Sequence, residues 1–500
     1  MSEVPFPFLA NNDQATALVE GDIAYTYAEV NSRINQFAAG MLDGDNDLEE
    51  ARIAFFIPAS IDYVTALHGI WRAGGIAVPL NVASAVNELE HYLSCARVSR
   101  LIANDEYQES LQELCDKLNI TLLSVNDVLN NLSTETPASL PEIDLSRRAM
   151  MLFTSGTTNK PKGVVSTHHT IRAQITTLLD AWAWTDEDVI PLFLPLHHIH
   201  GIINVLCCGL WAGATVHLFP KFDIPAITRK VSNGVYNVFM AVPTIYVKLI
   251  QYFNTIDEAE VKAICKGFNA MRLNISGSAA CPVKLFNEWQ SLTGQVLLER
   301  YGMTEIGMGI SNPYHGERRA GYVGQPLPGV EVQLFDEANY PVNEEEKSGE
   351  IRIKGDNVFL EYWDNPDATT ESFIDGWFCT GDVAVIEEGY YRIMGRSSID
   401  IIKSGGYKLS ALEIEGVLLT HEAIREVAVI GEEDETWGEA VVAVIVLEDG
   451  VTLDYDQLKI WCDGKISSYK IPKAIRIVDA LPRNAMGKVT KSDLKHECSR

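Results

Sequence analysis

The sequence has few of the features that mark secreted scaffolds, zinc proteins or membrane proteins. Its 500 residues include nine cysteines and no CxxC pair, so neither a disulfide framework nor a zinc site is expected. No apolar run is long enough to cross a bilayer, since even Val238 to Ile250 is broken by Pro243 and Lys248. Met1 to Gln14 shows neither a secretory signal nor a transit peptide. We therefore expect reduced thiols, no membrane span and a cytoplasmic location.

Positive charge is also scarce. Lysine and arginine number 40 against 68 acidic residues, which gives a formal charge of −28. Such a balance opposes nucleic acid and anionic membranes as partners. Any anionic substrate must therefore meet a local positive site, and small molecules are the expected partners. The sequence leaves the oligomeric state open between monomer and homodimer.

Short apolar or β-branched runs recur between longer mixed stretches, which predicts layered α/β structure. The runs used for this prediction are Arg52 to Pro58, Gly75 to Pro79, Val189 to Leu194, Ala214 to Phe219 and Glu350 to Lys354. A new pattern of strand, glycine turn, helix and further strands begins after Gly395-Arg396. Since 500 residues exceed one ordinary core, we predict an N-terminal domain over 1–395 and a small C-terminal α/β domain over 401–500.

A polar loop between two predicted strands has the composition of a phosphate-binding site. Thr154 to Gly163 contains four hydroxyls, two glycines and two lysines in ten residues. Backbone N–H groups, hydroxyls and ammonium groups are what phosphate oxygens require. The loop is not a P-loop, because GxxxxGK[ST] is absent. Composition alone also allows a polar surface turn.

This loop resembles the signature loop of the adenylate-forming superfamily of acyl-CoA synthetases, luciferases and peptide-synthetase adenylation domains. Further blocks follow in that family's order: Tyr301-Gly302-Met303-Thr304-Glu305, Gly349-Glu350-Ile351, Tyr362-Trp363, Trp377 to Asp382, Gly395-Arg396, Gly405-Gly406-Tyr407-Lys408 and Pro482 to Lys488. The resemblance covers nearly the whole chain. It implies an α/β fold with a β-barrel-like subdomain in the large domain and a mobile C-terminal domain. It also implies an enzyme that forms an acyl-adenylate and pyrophosphate from ATP with Mg²⁺, then an acyl-CoA and AMP.

The resemblance assigns roles to individual residues. For the chemical step these are Thr304, Glu305 (which would also hold Mg²⁺), His198 as a gate beside the acyl carboxylate, and Lys488. For binding ATP and CoA these are Thr154, Ser155, Gly156, Thr157, Thr158, Lys160, Lys162, Gly277, Ser278, Ala279, Tyr301, Gly302, Met303, Asp382, Arg396, Lys403, Gly405 and Gly406. Among them, Asp382 would accept from the ribose hydroxyls, Arg396 would reach ribose or phosphate oxygens, and the segment from Gly277 would line the adenine. Taken singly, some have ordinary alternatives: Thr304-Glu305 as a helix start, Arg396 as an inter-domain ion pair, and Lys488 as a solubilising charge.

Two half-reactions in one site require two surroundings, which a rotating small domain can supply. We therefore place a hinge at 396–400, immediately before the C-terminal domain. Compared with the commoner family spacing, the stretch from Arg396 to Gly405-Gly406 reads as one residue longer. Ser398, Ile399 and Asp400 all stay open as the residue that absorbs the rotation.

Three stretches are similar to malonyl-CoA synthetases, the last of them to the eukaryotic branch: Met271 to Ala280, Glu299 to Arg318, and Ser397 to Glu415. Malonate keeps a second carboxylate after activation, and a buried anion needs a cation that can bind it with two hydrogen bonds. Arg272 and Arg318 are our candidates, with His200 beside them. Ion pairing between subdomains is the alternative for each arginine.

Several functions other than malonate activation stay open. The acid could instead be oxalate, methylmalonate, an aryl acid or a fatty acid, or the chain could load a carrier protein as a stand-alone adenylation enzyme. A catalytically dead nucleotide-binding regulator is disfavoured, because the catalytic residue types are intact. A metal bound by His197, His198 and His200 is also disfavoured, since no carboxylate accompanies them.

Overall fold

The computed structural model describes residues 9–10, 12–131, 140–154, 161–397, 399–405, 407–434, 436–483 and 489–496. Within these ranges the strands form five sheets with helices between them. The predicted α/β class, with a large N-terminal and a small C-terminal part, is confirmed. Among the described helices, none is long and apolar enough to span a bilayer.

A seven-stranded sheet carries both ends of the polar loop. In spatial order its strands are Glu361–Tyr362, Lys162–Thr167, Arg148–Thr154, Ile76–Pro79, Arg52–Phe56, Arg100–Ala103 and Thr121–Ser124. The last four are mutually parallel, and all but the edge strand Thr121–Ser124 are largely buried, as expected for near-continuous apolar runs. Arg148–Thr154 and Lys162–Thr167 are antiparallel, so the loop between them is a hairpin connection.

Two further sheets lie in the large domain. The four-stranded sheet consists, in order, of Ile23–Thr26, Thr16–Glu20, Thr215–Leu218 and Val189–Leu192. The five-stranded sheet consists of Val238–Ala241, Leu273–Ser276, Leu298–Met303, Gly307–Ser311 and Gln325–Pro326. Leu298–Met303 is parallel to one neighbour and antiparallel to the other, and it ends at the turn that contains Thr304 and Glu305.

A fully antiparallel sheet of six strands forms the barrel-like subdomain that the resemblance implied. Its strands are Pro341–Val342, Glu331–Phe335, Gly349–Lys354, Trp377–Glu387 and Phe373–Ile374, with Tyr390–Arg396 also paired to Trp377–Glu387. The predicted alternation in Gly349–Lys354 is confirmed, since Ile351 and Ile353 are both fully buried. Trp377–Glu387 and Tyr390–Arg396 place Asp382 directly opposite Arg396.

The C-terminal sheet runs in the order Tyr407–Ser410, Ile401–Ser404, Gly438–Leu447 and Ile424–Asp434, with Ala474–Ile477 parallel to Gly438–Leu447. Sequence patterns predicted most of these elements. The strand Tyr407–Ser410 was missed, because four residues after a glycine pair give too short an alternation to detect. Ser410 N-caps the following helix by accepting from the Glu413 N–H at 3.1 Å.

Helices cover the sheets and supply the connections. They are Tyr27–Leu42, Ile61–Arg72, Val86–Cys95, Asp105–Leu118, Val125–Asn130, His168–Ala181, the π-helix His200–Cys207, Cys208–Ala212, Ile224–Ser232, Pro243–Phe253, Glu258–Ala270, Val283–Thr293, Pro366–Glu371, Ala411–Leu418, Tyr455–Cys462, the 3₁₀ turn Ser468–Lys470 and Lys491–His496. The largest apolar cluster extends from Leu9 to Tyr391, and the two clusters of the C-terminal part begin at Ile402 and Ala428. The boundary at 396–400 stays a prediction, although this division of the core accords with it.

Candidate active site

The polar loop is anchored by a strand pair on which Thr154 lies opposite Lys162. The Lys162 ammonium lies 4.8 Å from the centroid of the Tyr362 ring, a cation–π contact that orients its long side chain. Both lysine and threonine therefore lie where the loop begins and ends. The predicted phosphate ligands Ser155, Gly156, Thr157, Thr158 and Lys160 lie outside the described residues.

Glu305 is a buried carboxylate in the turn between Leu298–Met303 and Gly307–Ser311. The Tyr362 hydroxyl donates to its Oε1 at 2.9 Å, and burial raises the pKa of the carboxyl. Thr304 lies in the same turn, so the helix-start alternative for this pair is wrong. The strand register thus joins Lys162, Tyr362 and Glu305 in one contact chain.

The donor set around Glu305 fits Mg²⁺ of the kind that nucleotides bring with them. Among the described residues no group of three or more His, Cys, Asp or Glu could hold a metal ion. Mg²⁺ in such sites is held by one or two carboxylates together with phosphate oxygens and water. A single buried carboxylate next to the phosphate loop meets that requirement, whereas a metal cage built from protein ligands alone does not form here.

Asp382, Tyr301 and Arg396 form the centre of the predicted ribose site. The Tyr301 hydroxyl donates to Asp382 Oδ2 at 2.6 Å, and Arg396 Nε lies 3.0 Å from Oδ1. Burial and the neighbouring Asp382 raise the pKa of Tyr301, so the phenol keeps its proton. Each carboxylate oxygen has a second lone pair and can still accept from a ribose hydroxyl. Tertiary structure thus joins three residues that sequence analysis assigned separately.

The segment Gly277-Ser278-Ala279 lies over a buried arginine that sequence analysis did not single out. Arg300 is only 4% exposed, and a Cβ on Gly277 would stand 2.5 Å from its Nε and Cζ. Only glycine at 277 lets the guanidinium lie against the backbone there. Ser278 follows with φ of +66°, a left-handed conformation that non-glycine residues adopt at a cost of order 1–3 kcal/mol.

Arg300, Ser278 and His200 form a polar cluster in which Ser278 is exposed and the other two residues are buried. Its Nη2 donates to Ser278 Oγ at 3.3 Å, and that oxygen lies 3.2 Å from His200 Nδ1. Across the described ranges, neither Arg300 Nε nor His200 Nε2 has a hydrogen-bond partner. Burial lowers the pKa of Arg300 to about 9, so the guanidinium is still charged at neutral pH. A buried cation with an unused donor is a binding site for an anion.

Two histidines of the acyl segment, His197 and His200, are neutral. His197 and His198 pack with ring centroids 4.0 Å apart, and His200 begins the π-helix His200–Cys207. Burial, then the neighbouring His198, lowers the pKa of His197 to about 3, and burial holds the pKa of His200 far below its usual range. π-Helical turns are frequent at functional sites. His197 and His200 therefore add no charge to the segment that the resemblance assigns to the acyl group.

The structure argues against Arg272 as the substrate's cation. Its Nε and Nη2 bind Asp188 at 2.7 and 2.5 Å, and its Nη1 donates to the Trp182 carbonyl at 2.8 Å. A guanidinium already neutralised by a buried carboxylate has no charge left for a second anion. The alternative of an internal ion pair is the one found, because Asp188 precedes a strand of the neighbouring sheet.

Arg318 is also committed within the protein. Its guanidinium donates to the carbonyls of Pro313, Val296 and Tyr314 at 3.4, 2.9 and 3.1 Å. These bonds hold together the loop that follows Gly307–Ser311, so this arginine stabilises the loop. The stretch Glu299 to Arg318, which is similar to malonyl-CoA synthetases, contains both Arg300 and Arg318, and only Arg318 was predicted to bind the substrate's second carboxylate. The available signal was the strand period, since Arg300 alternates with Tyr301 and therefore faces away from the ribose site.

The hinge and the predicted CoA-facing residues are described in part. Lys403 Nζ lies 3.3 Å from Glu337, and the Gly405 N–H donates to the Trp437 carbonyl at 2.8 Å. Ser398, Gly406 and Lys488 lie outside the described residues. The roles of Lys403, Gly405, Gly406 and Lys488 stay predictions.

Comparison with known proteins places this geometry among characterised folds. The model of the AMP-binding enzyme family matches residues 8–363, and that of the AMP-binding enzyme C-terminal domain matches 413–488. A malonate–CoA ligase of Mus musculus (ACSF3, mitochondrial) is 44% identical, with 90% of this chain and 82% of the relative covered. A malonate–CoA ligase of Arabidopsis thaliana is 39% identical, with coverage of 91% and 79%. The crystal structure of ATP-bound MatB from Rhodopseudomonas palustris matches with a TM-score of 0.88 at 32% identity, over 97% and 96% of the two chains.

The fold and the grouped nucleotide residues define an adenylate-forming enzyme. The chain belongs to the AMP-binding enzyme family, whose first model alone covers more than half of its length. The predicted enzyme class, an acid–CoA ligase that uses ATP and CoA, is confirmed at this level. The cytoplasmic location, the domain boundaries and the roles of individual residues stay predictions.

Proposed function

We propose that the enzyme activates malonate and that Arg300 binds the carboxylate that does not react. The observation that carries this proposal is the buried Arg300 guanidinium, which lacks a carboxylate partner among the described residues and contacts Ser278 beside His200. Two planar hydrogen bonds from a guanidinium match a carboxylate. A monocarboxylate such as acetate would leave the charge unpaired. The names of the similar ligases support the same acid.

In the first half-reaction, one oxygen of the carboxylate that Arg300 does not bind attacks the α-phosphorus of ATP. The bond from the α-phosphorus to the β,γ-pyrophosphate then breaks. Asp382 and Tyr301 hold the ribose, while the ends of the polar loop hold the triphosphate and so align attack and departure. Glu305 would hold Mg²⁺ together with phosphate oxygens, and the ion would supply positive charge for the departing pyrophosphate. Lys488 would neutralise the attacking carboxylate and the bridging oxygen, as the family's motif at that position implies.

In the second half-reaction, the thiolate of CoA attacks the acyl carbon, and AMP leaves with the bonding pair of the C–O bond. The proton of the thiol passes to solvent. Rotation at 396–400 would replace the surroundings of Lys488 with those of Gly405 and Gly406, which, as the resemblance implies, would present backbone to the thioester-forming state. Arg300 stays in the large domain throughout, so the distal carboxylate is held in both steps.

A substrate panel tests the proposal. Purified protein is incubated with ATP, Mg²⁺ and CoA and with malonate, methylmalonate, succinate, oxalate, acetate or coumarate, and AMP and thioester are followed. Malonate is expected to give the highest kcat/KM, with acetate lower by orders of magnitude because the guanidinium loses its partner. Thioester formation from another acid but not from malonate would overturn the proposed substrate. An adenylate without thioester would instead favour loading of a carrier protein.

A further inference from the structure

A buried lysine near the chain end binds two carboxylates at once. Lys491 Nζ lies 2.6 Å from Asp400 Oδ1 and 2.6 Å from Glu415 Oε1. The side chain of Lys491 is 8% exposed, and those of Asp400 and Glu415 are 14% and 13% exposed. Although burial opposes its charge, the two carboxylates raise the pKa of Lys491. The three side chains, named here the hinge triad, form a single ionic unit.

Each carboxylate of the hinge triad is also bonded to backbone. Asp400 Oδ2 accepts from the Arg396 N–H at 3.0 Å, and the Asp400 N–H donates to the Arg396 carbonyl at 2.8 Å. Glu415 Oε1 accepts from the Val429 N–H at 2.7 Å. Lys491 therefore connects the predicted hinge to the helix Ala411–Leu418 and the strand Ile424–Asp434 of the small domain.

The fit around Asp400 is close on the side of the large domain. Gly395 has φ of +121°, and a Cβ there would stand 2.3 Å from the Asp400 Cβ. Ser410 Oγ donates to the Met394 carbonyl at 2.5 Å, which adds a second bond across the same junction. A rotation at Ser398 or Ile399 would break the Arg396 to Asp400 bonds, whereas Lys491 would move with the small domain. In such a rotation Asp400 would lose its bonds to the Arg396 backbone and keep its ion pair with Lys491.

The backbone on either side of segment 484–488 is drawn together immediately before Lys491. The Thr490 N–H donates to the Pro482 carbonyl at 2.9 Å, and Arg483 and Val489 form an isolated antiparallel bridge. Lys491 follows Thr490 directly and begins the helix Lys491–His496. The contacts of Lys491 therefore also hold the adjoining backbone pair 482–483 and 489–490, named here the base of segment 484–488.

We propose that Lys491 is a positioning residue for adenylation, which through Asp400 and Glu415 sets the base of segment 484–488 relative to the hinge. It touches no substrate and acts through the geometry of the small domain. The inference rests on the proposed function, since it assumes that Lys488 serves the first half-reaction. Adenylation is the step affected, because thioester formation proceeds after the hinge has turned.

The test separates the two half-reactions in Lys491→Met. Malonate-dependent exchange of pyrophosphate into ATP is expected to fall by about 10²-fold, the effect of a displacement near 1 Å in a catalytic group. The KM for ATP should stay within a few-fold of wild type, and thioester formation from supplied malonyl-adenylate should also stay within a few-fold. Lys495→Met, which removes the same charge from the same helix, is the matched control and should match wild type in both steps. Equal loss of both half-reactions, or no loss of either, would overturn the proposal.

A second readout does not depend on the substrate. Hydrogen–deuterium exchange should show faster exchange of the Arg396 and Asp400 amides in Lys491→Met and unchanged exchange in Lys495→Met. If Lys491→Met fails to fold, the double variant Lys491→Met/Glu415→Gln, which leaves one buried carboxylate instead of two, carries both measurements. A wild-type enzyme that activates no acid would refute the proposed function alone, because the exchange measurement needs no substrate. Unchanged amide protection at the hinge in Lys491→Met would refute the role of Lys491.

Discussion

Arg272 and Asp188 form a two-pronged ion pair that crosses from the five-stranded to the four-stranded sheet. The Asp188 carboxylate is fully buried, and its Oδ2 also accepts from the Thr185 N–H at 2.9 Å. Arg272 in turn lies over the Tyr314 ring, with its Cζ 5.4 Å from the centroid. These contacts make Arg272 a structural link between the two sheets.

Replacement of Arg272 by methionine should destabilise the enzyme without changing its choice of acid. Asp188 would remain as an unpaired buried charge, and breaking such a pair costs about 3–5 kcal/mol. Thermal unfolding and the substrate panel together check this. Arg425→Met is the control, because Arg425 pairs with the exposed Asp449 and such pairs contribute about 0–1 kcal/mol. A selective loss of malonate use in Arg272→Met would restore the original assignment.

Replacement of Arg300 by methionine should remove the preference for malonate. Loss of a buried pair between guanidinium and substrate carboxylate corresponds to a fall of about 10²–10⁴-fold in kcat/KM for malonate. ATP binding, measured by calorimetry, should change little, and the ratio of malonate to acetate turnover should approach unity. Arg318→Met is the control, since it removes a half-buried guanidinium whose hydrogen bonds, among the described residues, go to backbone carbonyls. An unchanged malonate to acetate ratio in Arg300→Met would contradict the proposed pocket.

Asp382→Asn should weaken recognition of the ribose hydroxyls. An amide offers one acceptor oxygen in place of two, so the preference for ATP over 2′-deoxy-ATP should shrink. Tyr301→Phe, which removes the 2.6 Å bond to Asp382, should raise the KM for ATP by a smaller factor. Tyr322→Phe removes a hydroxyl bonded to Glu387 and should leave both quantities unchanged. Undiminished discrimination against 2′-deoxy-ATP in Asp382→Asn would place the ribose elsewhere.

Glu299→Gln should alter the pH dependence of stability. Burial raises the pKa of Glu299 to about 8, against backbone N–H bonds from Gly321 and Cys281 that lower it. The folded state therefore keeps a proton that the unfolded state releases above its ordinary pKa, so this residue makes stability fall as pH rises towards about 8. The variant should gain thermal midpoint relative to wild type between pH 5 and pH 8. Glu331→Gln, on an exposed strand position, should show no such trend, and a parallel trend in both variants would refute the assignment.

Most of the fold and of the nucleotide site could be predicted from local patterns. The polar loop, the pair Thr304-Glu305 and the block Trp377 to Asp382 each lie within a short segment whose residue types reflect one task. Alternating or continuous apolar runs predicted the buried strands, because the side chains that face the core recur with the period of the strand. The strand Tyr407–Ser410 escaped, since four residues carry too little periodicity.

The sequence by itself determined the class of chemistry, since the candidate phosphate, metal and ribose ligands occur in contiguous blocks that resemble those of the adenylate-forming superfamily. Only the tertiary structure decided which arginine is available to the acid. Arg272, Arg300 and Arg318 carry the same side chain, and what distinguishes them is the presence of Asp188, 84 residues from Arg272, or of the Val296 carbonyl, 22 residues from Arg318. A guanidinium is free for substrate only where no internal partner lies opposite it, and that depends on how the sheets pack.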